Sequence, residues 1–257
     1  MALTELDILN GVFNLVFVIT SIILGLIILL KYFKNKNVNF IYMGLTLIFL
    51  SSGWYGTSVS FLIALISGNE GLTFQQIALL NFVPLPFGLL SWITVFTNLL
   101  YKNKQTLIIL FTLILTGFFY VFFFIALFTN PLTVGEKITP VDTKGNSLFL
   151  LSYVFIFIII VVLTGVKFGY ETMNYDNPEM KLKGRILIIA FPTYAIAGFL
   201  DSTIPSTAIT LIIFRVILIL SAFGFYGGFI LPKWLKKILI KPPENENSQI
   251  GSRESDN

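Results

Sequence analysis

The sequence predicts an all-α, polytopic membrane protein built as a bundle of seven transmembrane helices. Two patterns carry that prediction. Seven long apolar runs fill the 257 residues, and the basic residues between them alternate from crowded to nearly absent. Composition agrees: 56% of residues are hydrophobic, only 12% are charged, and the mean hydropathy is +0.87, leaving too little polar surface for a water-soluble domain.

The runs fall at 8–31, 40–66, 73–101, 105–129, 147–167, 184–201 and 206–231. Each approaches or exceeds the roughly 20 apolar residues that cross a bilayer as helix. They are apolar all round, whereas strands of a membrane barrel alternate apolar and polar positions. The first run lacks the basic start and small-residue cleavage site of a signal peptide, so it reads as an uncleaved helix. Fourteen of the seventeen basic residues lie after odd-numbered runs, only Lys137 and Lys144 lie on the opposite side, and Arg215 sits within a run. The positive-inside rule then predicts an N-terminus outside and a C-terminus inside, in the cell membrane.

Local signals refine this layout. Thr4 with Asp7, and Thr73 with Gln76, have capping-box spacing at the starts of the first and third helices. Pro84 and Pro86 predict a kink or local unwinding near 82–87, and Pro192 predicts the same in the sixth helix. These three prolines are candidate hinges. The segment 130–147 either folds over the outer mouth of the bundle or is an unstructured connector. Residues 232–240 read as a short amphipathic helix in the inner interface, with Lys233, Lys236 and Lys237 toward an anionic leaflet. The chain thus divides into a seven-helix domain (1–231), this interfacial helix, and a disordered tail (241–257) rich in Pro, Glu, Asn and Ser.

Chemistry is bounded mainly by what is missing. There is no cysteine and no histidine, which removes disulfides, thiolate catalysis, and haem or zinc sites built on those ligands. No lysine occurs in the last helix to form a retinal Schiff base, and no paired intramembrane carboxylates suggest acid–base catalysis. No enzyme activity and no cofactor are expected.

Intramembrane charge is the best remaining pointer to a site. Asp201 ends the sixth run and Arg215 lies about ten residues into the seventh, so the helical turn between them predicts an ion pair in the outer half. Asn10, Asn14, Tyr55, Asn81 and Tyr194 fall at similar depth and complete a candidate ligand pocket. The plainer reading of each is a hydrogen bond between helices.

The segment Asn177-Pro178-Glu179-Met180-Lys181-Leu182-Lys183-Gly184-Arg185, entering the sixth helix, resembles the seven-helix sensor regions of prokaryotic histidine kinases. The ending Ser221-Ala222-Phe223-Gly224-Phe225-Tyr226-Gly227-Gly228, continuing to Trp234, is similar to archaeal membrane proteins of the same layout. The likeness spans the whole chain by topology and its last third by motif. It implies a receptor-like, sensor-like, non-enzymatic protein. With no kinase segment after the last helix, output would pass through a partner such as a cytoplasmic signalling protein or kinase. Two alternatives stay open: a small-solute transporter or permease, and a structural subunit without a ligand. Matched broken helices in the two halves would mark a repeat-built transporter, and the prolines of run 3 have no counterpart in run 7.

Overall fold

A helix satisfies its own backbone, so a chain of long apolar runs folds as helices that pack side by side. The computed structural model describes residues 3–240, and the tail expected to be disordered, 241–257, lies outside them. Ten α-helices form: α1 (Glu5–Asn35), α2 (Asn39–Leu50), α3 (Tyr55–Ser67), α4 (Phe74–Phe82), α5 (Leu85–Leu100), α6 (Gln105–Thr129), α7 (Leu148–Met173), α8 (Pro178–Thr203), α9 (Ala208–Ile230) and α10 (Lys233–Leu239). Among the described residues, α1 to α9 make seven segments long and apolar enough to cross a membrane. The second combines α2 and α3, and the third combines α4 and α5.

Both predicted capping boxes are present. The Asp7 N–H donates to Thr4 Oγ1 at 3.1 Å and the Gln76 N–H to Thr73 Oγ1 at 3.4 Å. The third segment breaks where its prolines lie, with α4 ending at Phe82 and α5 beginning at Leu85. The Val83 carbonyl in the break accepts the Tyr120 hydroxyl at 2.7 Å, so the fourth segment satisfies a group at this break. Pro192 behaves otherwise. α8 runs unbroken through it, so of the kink or local unwinding expected there, the unwinding does not occur. Membrane helices tolerate proline when neighbours absorb the local change. A break that the runs did not announce divides the second segment, where Ser51–Trp54 tightens to a 3-10 turn. Ser and Gly are weak helix formers, and the Ser51 hydroxyl turns back to the Ile48 carbonyl at 2.7 Å.

Six of the seven segments close into a ring in the order one, two, three, five, six, seven and back to one, while α6 packs on its outside. Each half of the ring is cross-linked by the same close approach. A Cβ added at Gly25 of α1 would stand 2.6 Å from Ile48 Cγ1 and 2.8 Å from the Gly44 carbonyl of α2. One added at Gly169 of α7 would stand 2.7 Å from Ile188 Cγ1 and 2.9 Å from the Gly184 carbonyl of α8. Only glycine permits backbones this near. Ile48 and Ile188 each follow the second glycine by four residues. Segments one with two and five with six therefore share one glycine crossing, with α6 lying between the two groups along the chain.

The middle of the ring is filled. Trp92, Leu89, Phe17, Phe191 and Leu218 are fully buried, and Trp92 Nε1 donates to Thr164 Oγ1 at 2.7 Å. One end of the bundle carries the lysine-rich turns and α10. The other carries a β-hairpin, β1 (Gly135–Thr139) and β2 (Asp142–Gly145), inserted between α6 and α7. This hairpin decides between the two readings of 130–147: the segment is ordered and lies against the bundle end.

Candidate functional site: a buried ion pair beneath the hairpin

α8 and α9 are joined by a tight turn whose second helix opens with a capping box, the Thr210 N–H donating to Thr207 Oγ1 at 3.2 Å. The turn sets the last helical turn of α8 against the second turn of α9. Arg215 Nη1 consequently lies 2.7 Å from Asp201 Oδ2, with the two side chains only 5% and 6% exposed. An isolated charge at this depth is costly, so each makes the other tolerable.

The first half of the ring supplies the rest of the site. Trp54 closes the 3-10 turn, and that break aims its indole inward. Trp54 Nε1 donates to Asp201 Oδ2 at 2.9 Å, and the guanidinium carbon lies 5.4 Å from the Trp54 ring centre. Phe17 meets Trp54 edge-on at 4.9 Å and fixes its plane. From α1, Asn10 Oδ1 accepts from Arg215 Nη2 at 3.4 Å, while Asn10 Nδ2 donates to the Val141 carbonyl at 3.3 Å. Asn10 thereby ties the ion pair to the hairpin.

The hairpin is held by few bonds. Ser60 Oγ donates to the Pro140 carbonyl at 2.5 Å, and Lys137 Nζ donates to the carbonyls of Leu72 (2.8 Å) and Glu70. Val141 is buried beneath its turn. Asp142 is half-buried above the pair. Burial pushes its carboxyl above the usual carboxylate range and nearby Asp201 adds to that, while the Thr143 N–H, Ser206 and Arg215 oppose it.

No protein-family model matches this chain, and no curated protein matches its sequence. The site's chemistry therefore stands on its own geometry. It offers a guanidinium with an unpartnered Nε among the described residues, a carboxylate, an indole face and a nearby tyrosine. Chemically, a guanidinium can donate to a carboxylate and a carboxylate can accept from an ammonium group.

The sequence-predicted residues divide into two groups. Asp201, Arg215 and Asn10 are in contact. Tyr194 is buried within electrostatic reach of Arg215, packs 6.2 Å from the Phe17 ring, and has a hydroxyl with no partner among the described residues. Asn14, Tyr55 and Asn81 serve the helix breaks instead. Asn14 Nδ2 donates to Thr57 Oγ1 at 3.3 Å, and that hydroxyl donates to the Trp54 carbonyl at 3.1 Å. The Tyr55 hydroxyl donates to the Ile48 carbonyl at 2.5 Å. Asn81 Oδ1 accepts the Gly56 N–H at 2.6 Å, and its carbonyl accepts Ser52 Oγ at 3.0 Å, clasping the second and third segments together. Trp54, Asp142 and the Val141 carbonyl were not legible as site groups. The signal for Trp54 was Ser51-Ser52-Gly53 before it, a run of weak helix formers inside an apolar stretch.

Proposed function

We propose that this chain is a receptor-like, non-enzymatic protein of the cell membrane, its hairpin end outside and its lysine-rich end inside, which senses a small charged solute and signals through a partner chain. The observation that carries the reading is the ion pair of Arg215 and Asp201, buried under a hairpin that few hydrogen bonds attach. A solute carboxylate that displaces the hairpin gains Arg215, Trp54 and Asn10 as partners. The break at Trp54 couples that exchange to the second segment, and the broken third segment, with Pro84 and Pro86, is clasped to it by Asn81. Helix displacement would then reach the inner turns around 170–183, where a partner such as a kinase reads it. The resemblance of 177–185 to kinase sensor regions supports the same assignment. Orientation rests on the lysine asymmetry.

Hydrogen exchange on the full chain in nanodiscs tests this. In the presence of carboxylate-bearing solutes, exchange in 131–146 and 170–183 changes together in the wild type and not in Arg215→Leu. A hairpin that exchanges identically with every solute removes the proposal's basis. An amine-reactive label applied from outside intact cells checks orientation, with Lys137 modified and Lys34 protected.

The repeated glycine crossing favours a second reading, a small-solute transporter, since internal repeats recur in such proteins. Uptake into liposomes that Arg215→Leu abolishes would favour it over sensing.

A further inference from the structure

At the lysine-rich end, the close of α1, the start of α2, the first turns of α8 and the end of α9 enclose a cleft of about 160 Å³. Lys31 and Lys34 face it from one side of α1, being spaced i, i+3. Lys183 reaches it from α8, and its Nζ meets the Phe229 carbonyl at 3.3 Å. Among the described residues, no carboxylate lies within 4.0 Å of any of these three ammonium groups. The ion pairs that do form at this end, Lys167 with Glu171 and Lys236 with Glu179, involve other lysines. Phe40, Phe229 and Ile230 supply the cleft's apolar wall.

Three lysines lining one concavity repel each other, and an anion that enters relieves the repulsion. A point-charge ammonium suits phosphate oxygens, and three of them suit one phosphate better than one carboxylate. The apolar wall beside them matches the glycerol and first acyl carbons of a lipid. We propose that this cleft binds a phosphate group, carried by an anionic phospholipid of the adjoining leaflet. Free phosphate shares that chemistry and is the source to be separated from it.

Native mass spectrometry of the full chain in non-ionic detergent, titrated with phosphatidylglycerol, phosphatidylcholine or inorganic phosphate, tests the assignment. The wild type retains phosphatidylglycerol in preference to phosphatidylcholine. Lys34→Gln, at an exposed side chain, weakens that retention about fivefold, and K31Q/K34Q/K183Q about a hundredfold. K233Q/K237Q on α10, outside the cleft, weakens it by less than Lys34→Gln does. If phosphatidylglycerol fails to bind and inorganic phosphate binds with the same lysine dependence, the lipid assignment is overturned. Equal retention of both lipids, or an equal loss in the α10 variant, overturns the site itself. Should the triple variant not fold, Lys34→Gln and added salt decide: retention indifferent to both is a negative result.

Discussion

The two halves of the ring share a crossing and differ in continuity. Segments one with two, and five with six, meet through the same glycine pair and the same following isoleucine. Yet segments two and three are broken at Ser51–Trp54 and at Val83–Pro84, while six and seven run whole. The charges sit in the unbroken half, on α8 and α9, and the groups that receive them come largely from the other. Continuous helices hold Asp201 and Arg215 at a fixed spacing across one tight turn. The broken half, relieved of helical periodicity, turns Trp54 toward them. One half supplies charge and the other shapes its surroundings.

The sharpest way to break this comparison is to remove a charge from the unbroken half. Arg215→Leu leaves Asp201 buried without its counter-charge and should cost about 3–5 kcal/mol. Unfolding in mixed micelles measures it. The double variant R215L/D201L should recover most of the loss, because the uncompensated charge is gone. A double variant no more stable than the single would mean that the pair's hydrogen bonds, and not its charges, hold α8 to α9.

The next effect asks whether the halves really are alike. Gly44→Leu and Gly184→Leu each drive a side chain into a backbone carbonyl, Gly25 in one case and Gly169 in the other. Each should cost about 1–3 kcal/mol. Equal costs support one shared crossing. A marked inequality would restrict the likeness to local geometry.

Trp54→Phe probes the broken half alone. It keeps the ring over the guanidinium and deletes the N–H that meets Asp201, for an expected loss of about 1.5 kcal/mol. Loss of the Arg215-dependent solute response without loss of fold would assign Trp54 to recognition.

The seven segments were legible because hydrocarbon demands length and apolarity, and both are written in order along the chain. Their ends were less so. The fifth run was read to 167, but α7 continues to Met173, a polar turn past the apolar stretch on which Lys167 and Glu171 pair at 2.6 Å. The ion pair of Asp201 and Arg215 was legible because charges within apolar runs need partners and a short turn leaves few candidates. Asn14, Tyr55 and Asn81 make the hydrogen bonds that the plainer reading expected, because neutral polar groups find partners wherever a helix breaks. The break at Trp54 depends on Asn81 and Asn14 from other segments, so periodicity within its own run did not reveal it. The hairpin depends on pairing between two strands of five and four residues that have no strong local preference.

The smallest expected effect is a pH dependence at the junction of the two halves. Asp142 sits on the hairpin, outside the membrane-spanning segments, and burial raises its carboxyl above the usual range. The docked hairpin therefore holds this proton at a pH where the undocked one has released it. Protons bound in excess by the docked form stabilise it at low pH, and that stability is lost as pH climbs from the ordinary carboxylate range through the raised value. Above that window the charged carboxylate remains over the pair, with Asp201 repelling it and Arg215 attracting it. Amide protection in 135–145, taken relative to the intrinsic exchange rate at each pH, should fall across the window and then level off. Asp142→Asn, which stays neutral and keeps the acceptor for the Thr143 N–H, should hold its protection throughout. If protection instead rises with pH, the attraction of Arg215 outweighs desolvation, and Asp142 would count as a third member of the charged cluster.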